Sequence, residues 1–180
     1  MAGAQDYYNH VGDFRNGSAT ATDALPSCVG DAVKHNYSTT LYVAEASRVV
    51  DAHAAASAAK PLFMYLAFQS VHNPYDVPPP SIVDVNATFP AVVEYDRRIY
   101  AGMVKALDLA VDAVVSAWKR AGLWGDTVLI FTTDNGGIEF GNNYPLRGAK
   151  VHVWEGGVRV PALVRWPGTV KAGSTSGEIT

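Results

Sequence analysis

The sequence predicts an α/β fold, a mostly parallel sheet with helices on both faces, and three observations carry that expectation. Two apolar runs of strand length, "PLFMYLAFQS" and "TVLIFTT", are too continuous to have one wet face, as for strands buried on both sides. Between them "YDRRIYAGMVKALDLAVDAVVSAWKRAGLWGD" holds the clearest helical period in the chain. Strand, helix and strand in that order read as a right-handed parallel crossover.

In chain order, residues 1 to 36 are polar, rich in Gly, Ala, Asp and Thr, and without a sustained period, so they are expected to be loops. "YSTTLYVAEASRVVDAHAAASAAK" places Leu41, Ala44, Val49, Ala52 and Ala56 at about helical spacing in an alanine-dominated run and predicts a helix. Pro61 opens the first apolar run. The prolines of "VHNPYDVPPPSIVDVNATFP" then exclude regular structure over most of its length. In the long helix, Ile99, Met103, Ala106, Leu107, Ala110, Val111, Val114 and Trp118 form one face, while Arg98, Lys105, Asp108, Asp112 and Lys119 lie mainly away from it. Glu94 and Asp96 at its start, Lys119 and Arg120 at its end, and Gly122 just beyond all suit the helix dipole and the C-cap. After the second strand, "VWEGGVRVPALVRWPG" runs into a further apolar strand, with Glu155 and Arg159 spaced to pair structurally.

With 48% hydrophobic and 17% charged residues, the chain can bury a sizeable core and is not a disordered tail. Its net charge of −3, without a basic run, excludes the footprint of a nucleic-acid binder and the polybasic patch of a membrane-surface binder, so a small partner is expected. No apolar stretch approaches the roughly 20 residues of a membrane span, and "MAGAQDYYNHVGDF" lacks the plan of a signal peptide. Asn16, Asn36 and Asn86 each open an N-x-S/T acceptor pattern, which points towards the secretory route. The single cysteine, Cys28, cannot form an internal disulfide.

Architecture directs attention to the strand ends, because ligands of open α/β sheets gather at the carboxyl edge. "PLFMYLAFQS" leads to His72, and "TVLIFTT" leads to Asp134 and Asn135; parallel strands would bring all three to one edge. Asp134 and Asn135 offer a carboxylate and an amide oxygen, hard donors suited to calcium or magnesium, with Gly136 and Gly137 leaving room for a sharp turn. By themselves the four residues read rather as a tight turn with no ligand, and a metal site needs other residues beside them. His72 could give a proton to a leaving oxygen near neutral pH, or be structural. Arg147 and Lys150 in "PLRGAK" supply positive charge for an anionic group, or for a solvated loop.

Taken together, "PLFMYLAFQSVHNPYDVP", "RRIYAGMVKALDLAVDAVVSAWKRAGLWGDTVLIFTTDNGG", "GGIEFGNNYPLRGAK" and "WEGGVRVPALVRWPG" resemble, in this order and at comparable spacing, the middle of the sulfatase family, most closely its arylsulfatase B (N-acetylgalactosamine-4-sulfatase) type. "GAQDYY" and "YSTTLY" are similar to that group as well, so that the resemblance weakens only over residues 11 to 35 and at the last few positions. It implies an alkaline-phosphatase-like α/β fold and hydrolysis of small-molecule or glycan sulfate esters at a calcium site, in a secreted or lysosomal protein. Carried over by residue, it implies Asp134 and Asn135 as metal ligands, His72 as the group that positions sulfate and protonates the leaving alcohol, and Lys150 as a sulfate contact.

One departure stands beside the match. Sulfatases make a formylglycine nucleophile within a C-x-P-x-R type signature, preceded by two metal-binding aspartates, and none of this occurs here; Cys28 stands in "PSCVGDA" with no arginine at the required offset. The expectation is therefore the central part of a sulfatase catalytic domain over 1–180, without its nucleophile segment and C-terminal region, and inactive by itself. A phosphatase or phosphodiesterase of the same superfamily and a non-catalytic remnant are the alternatives. Asn135, where several of those relatives place a histidine for a second metal, and Lys150 favour sulfate.

Overall fold

A computed structural model describes residues 36–56 and 60–177. They form two compact units, divided between Ala121 and Gly122. The reading of residues 1 to 35 as loops, together with Asn16 and Cys28, lies outside the described residues.

The first unit is built on two helices, α1 over Ser38–Ala55 and α3 over Tyr95–Arg120, packed against each other, with a single turn, α2, over Val85–Thr88 against α3. α3 forms where its period places it. Ile99, Met103, Ala106 and Ala110 are buried as expected, and Gly102 and Ala117 join them, while Leu107, Val111, Val114 and Trp118 are half-buried at the margin. Its N-cap is Glu94, whose carboxylate accepts from the backbone N–H of Asp96 at 3.0 Å and of Arg97 at 2.7 Å. Its C-cap is Ala121, followed by Gly122 at φ 73°, a left-handed residue where the helix stops. Tyr37, Val83, Val85, Ile99, Met103 and Ala106 make the core, with Val71, Tyr75, Ile82 and Phe89 packed on it.

Three expectations are corrected in this unit. α1 is a helix, but it buries Ala46 and Val50 while Ala44, Ala52 and Ala56 are exposed. Alanine on nearly every side leaves the sequence without a contrast that fixes the face, so packing on α3 chooses it. α2 is a turn of helix inside the stretch read as loop; Asp84 caps it, its Oδ1 accepting from the N–H groups of Asn86 and Ala87 at 3.0 Å each. Residues 61–70 are not a buried strand. Leu62, Met64 and Leu66 are half-buried while Phe63 and Tyr65 are 89% and 85% exposed, the two-residue alternation of an extended chain, and no backbone ladder pairs them among the described residues.

In the second unit, a 3₁₀ turn at Trp124–Asp126 leads into β1 over Leu129–Thr132; α4, one turn over Glu155–Val158, precedes β2 over Ala162–Arg165. β1 and β2 pair antiparallel, Leu129 opposite Arg165 and Thr132 opposite Ala162. The parallel crossover expected from the first apolar run is thus absent among the described residues, where β1 has β2 as its partner. Ile130 and Phe131, read as buried, are exposed, because a two-stranded ribbon has no layer on either face. Arg165 anchors the ribbon: one guanidinium nitrogen donates to the carbonyls of Trp124 and Thr127, both at 2.9 Å, and the group lies 4.0 Å over the Trp124 ring.

Among the described residues no helix is long and apolar enough to cross a membrane.

Candidate functional site

β1 ends at Thr132, and the chain then turns sharply through Asp134, Asn135, Gly136 and Gly137. The Thr133 hydroxyl contacts both the Asp134 carboxylate at 3.4 Å and the Asn135 carbonyl at 3.5 Å, holding the two residues in one local arrangement. The Asn135 Nδ2 donates to the Gly136 carbonyl at 3.2 Å. Spending the amide nitrogen on backbone makes Oδ1 the atom through which Asn135 would meet a cation. Asp134 is exposed and Asn135 half-buried.

A second loop is sewn to this turn. The Gly137 carbonyl accepts from the backbone N–H of Lys150 at 3.3 Å and from Asn143 Nδ2 at 2.8 Å. Asn143 Oδ1 takes the Gly137 N–H at 2.8 Å, and its Nδ2 also reaches the Gly148 carbonyl at 3.2 Å. A third segment closes the cluster: the Gly136 N–H donates to the Gly157 carbonyl at 2.9 Å, and the Gly156 N–H donates to the Arg147 carbonyl at 2.7 Å. These backbones approach closely because no side chains separate them. A Cβ on Gly136 would overlap the Gly156 carbonyl, and one on Gly156 would overlap the carbonyls of Gly148 and Arg147. The acid–amide turn, the lysine loop and α4 are therefore one glycine-packed body.

Within it the two cations divide. The Arg147 guanidinium lies 4.0 Å over the ring of Trp154, the N-cap of α4, and Lys150 is tied to the turn through its backbone N–H. Glu155 and Arg159 form an exposed ion pair at 3.5 Å, the structural pairing expected for them.

The structure brings Asp134, Asn135 and Lys150 into one unit. His72 belongs to the other. It is exposed, and its Nδ1 donates to the Asn73 carbonyl at 2.8 Å; a carbonyl can only accept, so the proton sits on Nδ1 and proton exchange falls to Nε2. Of the acceptor asparagines, Asn36 and Asn86 are exposed. Asn86 Oδ1 accepts from Arg98 at 2.8 Å, a bond that leaves its Nδ2 as the atom a glycan would join.

The donors suit a hard cation: a carboxylate and an amide oxygen next to each other on a braced turn are calcium- or magnesium-type ligands. Their number is small. Among the described residues no group of three or more His, Cys, Asp or Glu side chains converges, whereas calcium takes about six to eight oxygens. These residues fit such an ion as part of its shell.

Sequence reasoning missed Asn143 and the glycines of α4. The available signal was an amide in a loop dense with glycine and followed by Pro145, where a side chain can take over backbone pairing.

Comparison with known proteins places the assembly. The sulfatase family profile matches residues 2–180. Arylsulfatase J of Mus musculus is 34% identical over 179 residues, covering 93% of this chain and 27% of the relative. Steryl-sulfatase of Rattus norvegicus is 32% identical over 67% of the chain and 21% of the relative. N-acetylgalactosamine-6-sulfatase of Canis lupus familiaris is 29% identical over 78% and 26%. The chain thus spans about a quarter of the length of these curated relatives. Among solved structures, Ps i-CgsB, also crystallised in complex with k-i-k-neocarrahexaose, superposes with a TM-score of 0.71 at 37% identity, covering 78% of this chain and 30% of that one. The expected alkaline-phosphatase-like α/β fold follows from the family match and this superposition together. With its profile matched along almost the whole length and its glycine-packed loops on a fold of that kind, the chain belongs to the sulfatase family.

Proposed function

We propose that the protein carrying this chain hydrolyses sulfate esters, and that 1–180 is the central part of its catalytic domain. One observation carries the reading: in a sulfatase-family chain, the lysine expected to contact sulfate is hydrogen-bonded through its own backbone to the turn that carries the expected metal ligands. Sulfatases are generally calcium-dependent. In this reading Asp134 and Asn135 hold the ion by Oδ atoms, and a bound calcium supplies positive charge that favours a sulfate oxygen at the turn.

The chain's own residues then have distinct work. Lys150 offers a compact ammonium to a second sulfate oxygen, and the tether to Gly137 keeps its backbone at a set distance from the cation ligands. His72, with Nδ1 anchored on Asn73, exchanges protons through Nε2, and the ring gives one to the departing alcohol when both nitrogens are protonated. The sequence contains no C-x-P-x-R signature, so the attack on sulfur is assigned to no residue here.

Within the family we read the chain as arylsulfatase-like, of the B type, acting on a small-molecule or glycan sulfate ester. Support comes from the motif order, from the arylsulfatase J relative, and from the oligosaccharide complex of the solved neighbour. The exposed Asn36 and Asn86 support an exported or lysosomal glycoprotein.

Calcium chloride titrated into the chain, followed by amide NMR, tests the site: Gly136 and Gly137 should shift saturably and stop responding in Asp134→Ala. Sodium sulfate should then move the Lys150 amide. A turn that ignores calcium would sink the reading. Chromogenic aryl sulfate turnover by the chain alone, well above a His72→Ala control, would contradict the missing nucleophile.

A further inference from the structure

We propose that Asn143 is a positioning residue that couples the Asp134–Asn135 turn to Lys150. The inference rests on the sulfate-ester reading for its purpose, but its geometry stands independently. Asn143 is half-buried, and its amide grips the backbone of a single residue at both ends, taking the Gly137 N–H and giving to the Gly137 carbonyl, both at 2.8 Å. Its remaining amide hydrogen reaches the Gly148 carbonyl at 3.2 Å. Gly137 is two residues past Asn135, and Gly148 two before Lys150, so one side chain spans the cation ligands and the cation.

The Gly137 carbonyl is the junction. It receives Asn143 Nδ2 and the Lys150 N–H together, and a carbonyl has two lone pairs, so both of its acceptor places are filled. Anything that displaces the turn drags that oxygen, and with it the lysine backbone. Asparagine is the short side chain that can do this: aspartate has the acceptor but no donor for the two carbonyls, and alanine has neither. Glutamine has both but is longer by one methylene. Around this amide, Gly136 and Gly156 leave the backbones no slack, since neither position has room for a methyl group. A shift produced at Asp134 and Asn135 by an arriving ion is therefore passed to Lys150 through Asn143 rather than absorbed.

The test compares the chain with Asn143→Ala and Asn143→Asp by amide hydrogen exchange and by calcium chloride titration, with urea midpoints alongside. Exchange at Lys150 and Gly137 should quicken by about tenfold or more in Asn143→Ala, as for loss of a hydrogen-bonded tether, while β1 amides keep their rates. In the wild type calcium should move Gly136 and Lys150 along one curve; in both variants Gly136 should still respond and Lys150 should not. Should Asn143→Ala unfold the second unit, Asn143→Asp, which retains the acceptor for Gly137, carries the same comparison. Unchanged Lys150 exchange and an unchanged Lys150 response overturn the proposal, as does loss of every amide response in step with a fall in the urea midpoint of both variants, which would mark a purely structural residue. A wild type whose Gly136 ignores calcium while Lys150 exchange still depends on Asn143 removes the cation reading and supports the tether.

Discussion

The glycine packing behind the acid–amide turn is open to a sharp test with Gly136→Ala. The added methyl would overlap the Gly156 carbonyl oxygen and stand 2.8 Å from the Gly156 carbonyl carbon. Both are backbone atoms, and no rotamer change can relieve the contact. The segments must part by several tenths of an ångström or more, which lengthens the 2.9 Å bond from the Gly136 N–H to the Gly157 carbonyl. Overpacking of this kind costs about 1–3 kcal/mol, and a weakened buried hydrogen bond adds about 1 kcal/mol. Replacing glycine recovers about 0.5 kcal/mol through the unfolded chain. The net loss is about 1.5–3.5 kcal/mol, which for a urea slope near 2 kcal/mol/M lowers the midpoint by roughly 0.8–1.8 M. Tryptophan fluorescence reads it well, because Trp124, Trp154 and Trp166, three of the four tryptophans, lie in this unit. Gly125→Ala is the internal control, since its Cβ would meet nothing within 4 Å. Equal midpoints for Gly136→Ala and Gly125→Ala would refute the packing argument.

Four further outcomes are expected. Met103→Ala empties a fully buried position in the first core and should cost about 2–5 kcal/mol, read as a lowered urea midpoint of that unit. Glu94→Ala removes the acceptors of two orphan N–H groups of α3 and should cost about 1 kcal/mol; a melting temperature equal to wild type would discount the cap. Arg165→Ala leaves the Trp124 and Thr127 carbonyls without this donor and removes the guanidinium stacked on the indole, so the β1–β2 ribbon should lose about 2–3 kcal/mol, seen as faster amide exchange along both strands. Calcium at about ten times a millimolar-range Kd should stabilise the second unit by about 1.4 kcal/mol, and chelation or Asp134→Ala should abolish the gain.

Legibility followed the distance between interacting residues. α3, the acidic charge at its start and its Gly122 stop could be read because each depends on groups a few residues apart. The Glu155–Arg159 pair, four residues apart around one turn, was legible for the same reason. At the site, the residue types of Asp134 and Asn135 suggested hard-cation ligands and Lys150 suggested an anion contact, but Asn143 was passed over. An amide in a polar loop has no pattern of its own. Its meaning lies in the two carbonyls and one N–H that the fold sets around it.

The amino-acid order alone determined helices α1 and α3, the end of α3 at Gly122, the existence of the β1 and β2 segments and, through its ordered motifs, the family. Tertiary structure decided which face of α1 is buried, gave β1 an antiparallel partner in β2, left 61–70 outside any ladder among the described residues, and drew the turn, the lysine loop and α4 together. Helix hydrogen bonds and caps close within one or two turns and so are written locally, whereas sheet partners and glycine contacts join segments distant in sequence, and only the folded chain determines which of many compatible segments meet.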